Sequence, residues 1–360
     1  MKIVRGLAVS LLVFVAPFAS AHGDAPVVVS IKPIHSLVAG VMEGVGSPTL
    51  IVKGASSPHT FSLTPSQAKN LYNARLVFWV GHELEAFLEK PLSTLSANAK
   101  QVELLEVPGL TKHHFREGGA FEEHAHEEEH EHKNEHKHET EHKHETEHKH
   151  ETEQKHENEH KHEQNTAEKK DEHGAHDHVS HEKHHDEEVD PHFWLDPENA
   201  KVIVHYVAHI LSEYDPKNAA LYEGNEQRLS AKLDALIGEV QNTLAPIKGK
   251  EFIVFHDAYQ YFENRFDIVA SGSITINPDL PPSVGRIQEI RNKIKKLGAI
   301  CVFSEPQFEP KIIRTVMEGT SAKTGVLDPL GASMTDGSEL YFELIRGMAH
   351  SLKDCLSSEN

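Results

Sequence analysis

The chain has 360 residues, 36 Lys and Arg against 56 Asp and Glu for a formal net charge of −20, and 38% hydrophobic residues. That length can fill one large domain or two of ordinary size. Between His113 and Glu188, 25 acidic residues stand against 10 basic ones, so −15 of the −20 is local. The remainder is only mildly acidic and gathers no basic patch, which argues against nucleic acid as a partner.

The N-terminus places Lys2 and Arg5 before an apolar run that ends in Ala19-Ser20-Ala21. A charged region, a short apolar region and an A-x-A site predict a secretory signal peptide over residues 1–21. The run is short for a membrane span, and no later segment qualifies. No cysteine stands at the cleavage site to carry a lipid. The mature chain is therefore expected to be soluble and exported. Cys301 and Cys355, the two cysteines of the chain, are expected to pair as a disulfide in an oxidising compartment.

Apolar runs then alternate with amphipathic stretches. "VVVSI" (27–31), "TLIVKG", "RLVFWVG" and "VELLEV" read as strands, with "PIHSLVAGVM" (33–42), "TPSQAKNLYNA" and "ELEAFLEKPLSTL" as helices. Thr64, Pro65 and Gln67 spell an N-cap, a first helical position and a capping box. This rhythm predicts a parallel sheet covered on both faces, in an α/β lobe over residues 22–214.

From residue 112 to 189 the composition collapses to His, Glu and Lys. Starting at His136, "HKHETE" occurs three times, followed by "QKHENE" and "HKHE". With so little to bury, the segment is expected to be a disordered insertion. Its 21 histidines, among them His136, His138, His142, His144, His148 and His150, are candidates for weak, accessory metal binding.

After the insertion, Asp196-Pro197 starts a helix that carries His205 and His209 four residues apart. That spacing can chelate a metal, and equally suits two solvated histidines. Asp215-Pro216 opens a long helical stretch over 215–246 with a stripe of Leu229, Leu233, Leu236, Ile237, Val240 and Leu244. It is expected to act as a rigid linker. "EFIVF", "FDIVAS", "AICVF" and "TGVL" then predict the strands of a second α/β lobe over 247–360, with "SVGRIQEIRNKIKKL" as a helix between them.

Three histidines outside the insertion stand at chemically suggestive points. His59 follows a strand in "GASSPHTFSLTPS", His192 sits in "DPHFWLDP" ahead of a helix, and His256 ends "EFIVF". Asp328 likewise follows "TGVL". Ligand sites in parallel α/β sheets collect beyond the carboxyl ends of strands. Together with "SIKPIHSLVAGVM", "VFHDAYQYF", "FSEPQF" and "LDPLG", these segments resemble the metal-binding proteins of bacterial ABC importers, in particular their periplasmic zinc-uptake members.

The resemblance implies two α/β lobes joined by one long helix, with the metal held between them by His59, His192 and His256. It also implies a His-rich acidic loop ahead of the second ligand. Asp328 matches a carboxylate that ligates metal in manganese-type relatives, whereas water or another carboxylate can complete a zinc site. The segment "GASSPH" has an extra Ser, and Pro58 stands where some zinc-type relatives place a glutamate. Manganese binders place a glutamate at the position of His256, so the histidine favours zinc. Three imidazoles and one oxygen also form a set suited to Zn²⁺. The implied protein is a monomeric periplasmic carrier of Zn²⁺ for a membrane permease and its cytoplasmic ATPase. Alternatives are a manganese or iron importer component, and a zinc-buffering or adhesin-like protein. An enzyme is disfavoured, because no H-E-x-x-H stretch occurs and no acid–base partner is evident.

Overall fold

Three β-branched residues begin the first sheet: β1 (Val27–Val29) is buried throughout and feeds directly into α1 (Lys32–Val41). The structure is a computed structural model that describes residues 26–116, 121, 188–275, 278, 282–298, 301–308 and 310–357. The expected signal peptide (1–21) and the histidine repeat containing His136, His138, His142, His144, His148 and His150 lie outside the described residues.

The first lobe continues with β2 (Thr49–Leu50), α2 (Pro65–Asn73), β3 (Leu76–Trp79), α3 (His82–Leu95) and β4 (Lys100–Glu103). Its four strands are parallel in the order β2-β1-β3-β4. Helices cover both faces of such a sheet, which explains why "VVV" and "LVFW" are continuously apolar rather than alternating. α2 starts as its sequence requires. Thr64 accepts from the Gln67 N–H, and the Gln67 side chain accepts from the Thr64 N–H at 2.8 Å.

Two helices lead onward. α4 (Pro197–Tyr214) is capped by Asp196, which accepts from the Glu198 N–H at 2.9 Å. The expected linker is α5 (Ala219–Leu244), 26 residues flanked by 3-10 turns at Pro216–Asn218 and Ala245–Ile247. At 1.5 Å per residue it is about 39 Å long. Leu229, Leu233, Leu236, Val240 and Leu244 are buried, while Ile237 of the expected stripe is only half-buried. α5 packs along α4 and α1. A Cβ on Gly40 of α1 would lie 2.9 Å from Leu229 Cδ1, so the glycine permits the close approach. Asn225 adds a buried tie, donating to the carbonyls of Val41 and Glu43 at the end of α1.

The second lobe comprises β5 (Phe252–His256), α6 (Gln260–Phe266), β6 (Ser273–Thr275), α7 (Val284–Leu297), β7 (Cys301–Ser304), α8 (Pro310–Met317), β8 (Lys323–Val326) and α9 (Leu340–Ser357). These strands are also parallel, in the order β6-β5-β7-β8. The expected strand "FDIVAS" is not one. Phe266 ends α6, and Asp267 closes the helix in the left-handed region at φ 55°. The Ala270 N–H then bonds the Glu263 carboxylate at 3.0 Å instead of a neighbouring strand. Ile268 and Ala270 are buried and Val269 exposed, so the apolar alternation is real but serves a loop, and the strand β6 follows it.

Several ties hold the two lobes together. The buried Lys32 Nζ donates to the carbonyls of Gly331 (2.7 Å) and Met334 (2.8 Å), beside Asp336. Trp194 Nε1 donates to Pro329 O at 2.9 Å, and the Tyr341 hydroxyl donates to Trp194 O at 2.7 Å. Within the second lobe, Cys301 and Cys355 form the expected disulfide between β7 and α9. Closing a loop of 54 residues stabilises by about 4 kcal/mol in the chain-entropy account. No helix among the described residues is long and apolar enough to cross a membrane.

Candidate metal centre

In each sheet the strand order reverses beside the first strand, and such points open a crevice at the carboxyl ends of the strands. His256 is the last residue of β5, at the reversal in the second lobe. His59 comes from the loop after β2. His192 opens the 3-10 turn Phe193–Leu195, which runs into the Asp196 cap of α4. One ligand atom from each of the three rings lies within 4.8 Å of the others. His192 and His256 are almost fully buried, and His59 is partly exposed. Leu84, Trp194, Glu305, Phe308 and Leu330 help to wall the pocket.

Two carboxylates set the rings. Asp190 Oδ1 lies 2.7 Å from His192 Nδ1, and Glu305 Oε1 lies 2.6 Å from His256 Nδ1. A carboxylate only accepts, so each imidazole donates from Nδ1 and turns the bare lone pair of Nε2 inward. These two Nε2 atoms face each other at 3.5 Å. Two ligands about 2.0–2.1 Å from a tetrahedral zinc ion stand about 3.3–3.4 Å apart. When both rings are neutral and donate from Nδ1, the two Nε2 lone pairs face each other, and a cation satisfies both.

The electrostatics favour the neutral, ligating form of two of the rings. Burial, reinforced by the other two histidines, holds His59 well below the usual histidine range. Burial and His256 do the same to His192. For His256, burial also opposes the charged form, but the Glu305 carboxylate outweighs it and the pKa is raised. Burial pushes Asp190 up to about 7, opposed by the His192 backbone N–H and the charge of Arg116.

The same region anchors both ends of the insertion. His114 and Val189 form an antiparallel bridge. The Tyr261 hydroxyl accepts from the His113 N–H at 3.0 Å and donates to Asp190 O at 2.7 Å. Arg116 bonds Asp257, next to His256, and donates to Glu263 at 2.6 Å. The backbone of Asp190, whose carboxylate orients His192, is thus held in place from the second lobe.

Asp328, expected as a possible fourth ligand, does not join the three histidines. Its Oδ1 accepts from Gln307 Nε2 (2.9 Å), Leu330 N (3.1 Å) and Gly331 N (2.8 Å), and its Oδ2 accepts from Ala332 N (2.6 Å). The carboxylate closes its own loop. His205 and His209 are exposed on α4 and face Glu226 (3.8 Å) and Glu213 (3.3 Å) respectively, not each other's metal.

The model of the family described as zinc-uptake complex component A, periplasmic (ZnuA), matches residues 27–355. The chain belongs to this zinc-uptake family. It is 54% identical over 331 residues to the high-affinity zinc uptake system protein ZnuA of Brucella suis biovar 1 (strain 1330), covering 92% of this chain and 91% of that one. The corresponding protein of Yersinia pestis is 32% identical over 355 residues, covering 98% and 97%. The fold is that of the periplasmic zinc binding protein TroA from Treponema pallidum, with a TM-score of 0.68 at 17% identity over 93% of this chain and 99% of that one.

Within the fold of this zinc-uptake family, sequence reasoning missed the partners of the rings. Asp190 stands two residues before His192 in "DPH", a local signal that was available. Glu305 lies in the motif "FSEPQF", but its role depends on β7 lying beside β5, which no local pattern reveals. Arg116 and Tyr261 act only through tertiary contact.

Proposed function

We propose that this chain captures Zn²⁺ between its two lobes through Nε2 of His192 and His256 together with the His59 imidazole, and delivers it to an ABC permease driven by a cytoplasmic ATPase. The ion is cargo. The observation that carries this reading is the pair of inward-facing Nε2 atoms at 3.5 Å, each fixed by a buried carboxylate on the opposite ring nitrogen. Three nitrogens suit zinc better than manganese, which prefers more oxygen donors. Water is the fourth ligand in this account, because the oxygens of Asp328 are occupied by its loop. An open fourth position also gives an exchange route for release.

The chain works as a monomer in the periplasm after removal of residues 1–21. It is a carrier and not a hydrolase: Asp190 and Glu305 hold ring protons and are not placed to move protons for a substrate. The His-rich insertion gathers or buffers zinc weakly, since each ion must order the chain that binds it. Competition titration of the purified full-length protein against a chelator tests the reading. Zn²⁺ is expected to bind orders of magnitude more tightly than Mn²⁺. Equal affinities, or a preference for Mn²⁺, would overturn it.

A further inference from the structure

Glu305 and Gln307 stand two residues apart on the segment that leaves the carboxyl end of β7. The Phe308 N–H closes the turn by donating to Glu305 O at 3.3 Å, and the Phe308 ring stacks on Phe255 of β5 with 5.0 Å between centroids. Glu305 orients His256 from this segment. Gln307 lines the same pocket as His59, His192 and His256.

The Gln307 amide is held at one end. Its Nε2 donates to Asp328 Oδ1 at 2.9 Å. Asp328 is itself fixed by the N–H groups of Leu330, Gly331 and Ala332, and a carboxylate only accepts. Only the NH₂ of the amide can therefore face Asp328, which sets Oε1 at the opposite corner. Gln307 Oε1 is shielded from solvent and meets no donor among the described residues. A buried acceptor without a donor loses its hydration and gains nothing in return. Zinc sites are built from imidazole, thiolate and carboxylate rather than amide oxygen, so direct ligation is the poorer remedy. A water on the metal has protons to donate, and a bridging water serves almost as well as a direct bond.

We propose that Gln307 is a positioning residue of the zinc site, its Oε1 accepting a hydrogen bond from the water that completes coordination by the three histidines. The proposal rests on that ligand set. It gives Asp328 a task that does not require it to touch the metal: Asp328 turns the amide, as Asp190 and Glu305 turn the rings of His192 and His256. The amide oxygen carries partial negative charge, so it favours a neutral water over an anion in the fourth position.

Cobalt(II), whose visible spectrum reports its ligands, tests this when one equivalent replaces zinc in the full-length protein and in Gln307→Met. Methionine keeps the length of the side chain and removes both amide atoms. Added azide is expected to change the spectrum of Gln307→Met at a concentration several-fold lower than in the natural protein. Chelator competition should show zinc held about 10–100-fold more weakly, the usual loss for an outer-shell partner. The metal-free melting temperature should stay close to the natural value, because three N–H groups still hold Asp328. A zinc-loaded crystal of the natural protein should show a zinc-bound water about 2.6–3.0 Å from Gln307 Oε1, which needs no variant to fold. Failure of the ligand set would show separately, as a cobalt spectrum that survives His256→Ala. Zinc on the three histidines with no water against Gln307 Oε1, or equal azide response and equal zinc affinity in the two proteins, overturns the proposal.

Discussion

Replacing Glu305 with glutamine keeps the shape beside His256 and removes the charge. Glutamine Oε1 can still accept from Nδ1, so the ring remains turned with Nε2 towards His192 Nε2, now 3.5 Å away. What is lost is the negative charge that makes the imidazole a stronger donor to the metal. Removing such a partner costs about 10–100-fold in metal affinity, or about 1.4–2.7 kcal/mol. Glu305 also raises the His256 pKa against the effect of burial. A proton on Nε2 blocks ligation, so in the natural protein zinc affinity begins to fall at a pH set by that raised value. In Glu305→Gln the His256 pKa drops, and the acid limb of the affinity curve moves to lower pH. Competition with a tight fluorescent chelator between about pH 5.5 and 8 reads both effects, spanning the ordinary histidine pKa of about 6.5. It also discriminates against the weak sites of the His-rich insertion. Unchanged affinity together with an unchanged acid limb would refute the reasoning.

His256→Ala should weaken the tight zinc equivalent by orders of magnitude, whereas His205→Ala, an exposed change on α4, should leave chelator competition unaltered. Asp328→Asn should retain tight zinc binding but lower stability by about 1–3 kcal/mol, the cost of weakening charge-assisted bonds to its loop, measured by denaturant unfolding. Exported protein unfolded without reductant should show no free thiol, and Cys301→Ser/Cys355→Ser should lose about 4 kcal/mol of stability by the same unfolding measurement. The isolated segment 113–188 should bind several zinc ions weakly at pH 7 and release them towards pH 5, as histidines with pKa of about 6.5 become charged. Calorimetry at both pH values checks this, and no heat of zinc binding at pH 7 would remove the proposed buffering role.

Local chemistry marked where the three rings stand, and the family resemblance pointed to them as ligands. His256 could be placed because "EFIVF" reads as a buried strand, and His192 because Asp196-Pro197 marks the next helix start. Their spacing and their carboxylate partners were not legible, because Glu305 reaches His256 across 49 residues. Asp328 shows the limit of arguing from placement. It does stand at a strand end, but aspartate before Pro-x-Gly readily folds its carboxylate back onto the following N–H groups, and here it does. The segment "FDIVAS" fails for a related reason. Alternating burial needs only one packed face, while a strand needs a backbone partner, and Glu263 takes the Ala270 N–H first. The long helix was evident from its leucine stripe, but Gly40 is what seats Leu229 of α5 against α1.

A crystal of the full-length protein loaded with one equivalent of zinc, measured for anomalous scattering at the zinc edge, tests the central assignment most directly. The account predicts one strong peak between the lobes, about 2.0–2.1 Å from nitrogens of His59, His192 and His256, with Asp328 still bonded to its own loop. A strongest peak elsewhere, or one coordinated by Asp328 without His256, would contradict it.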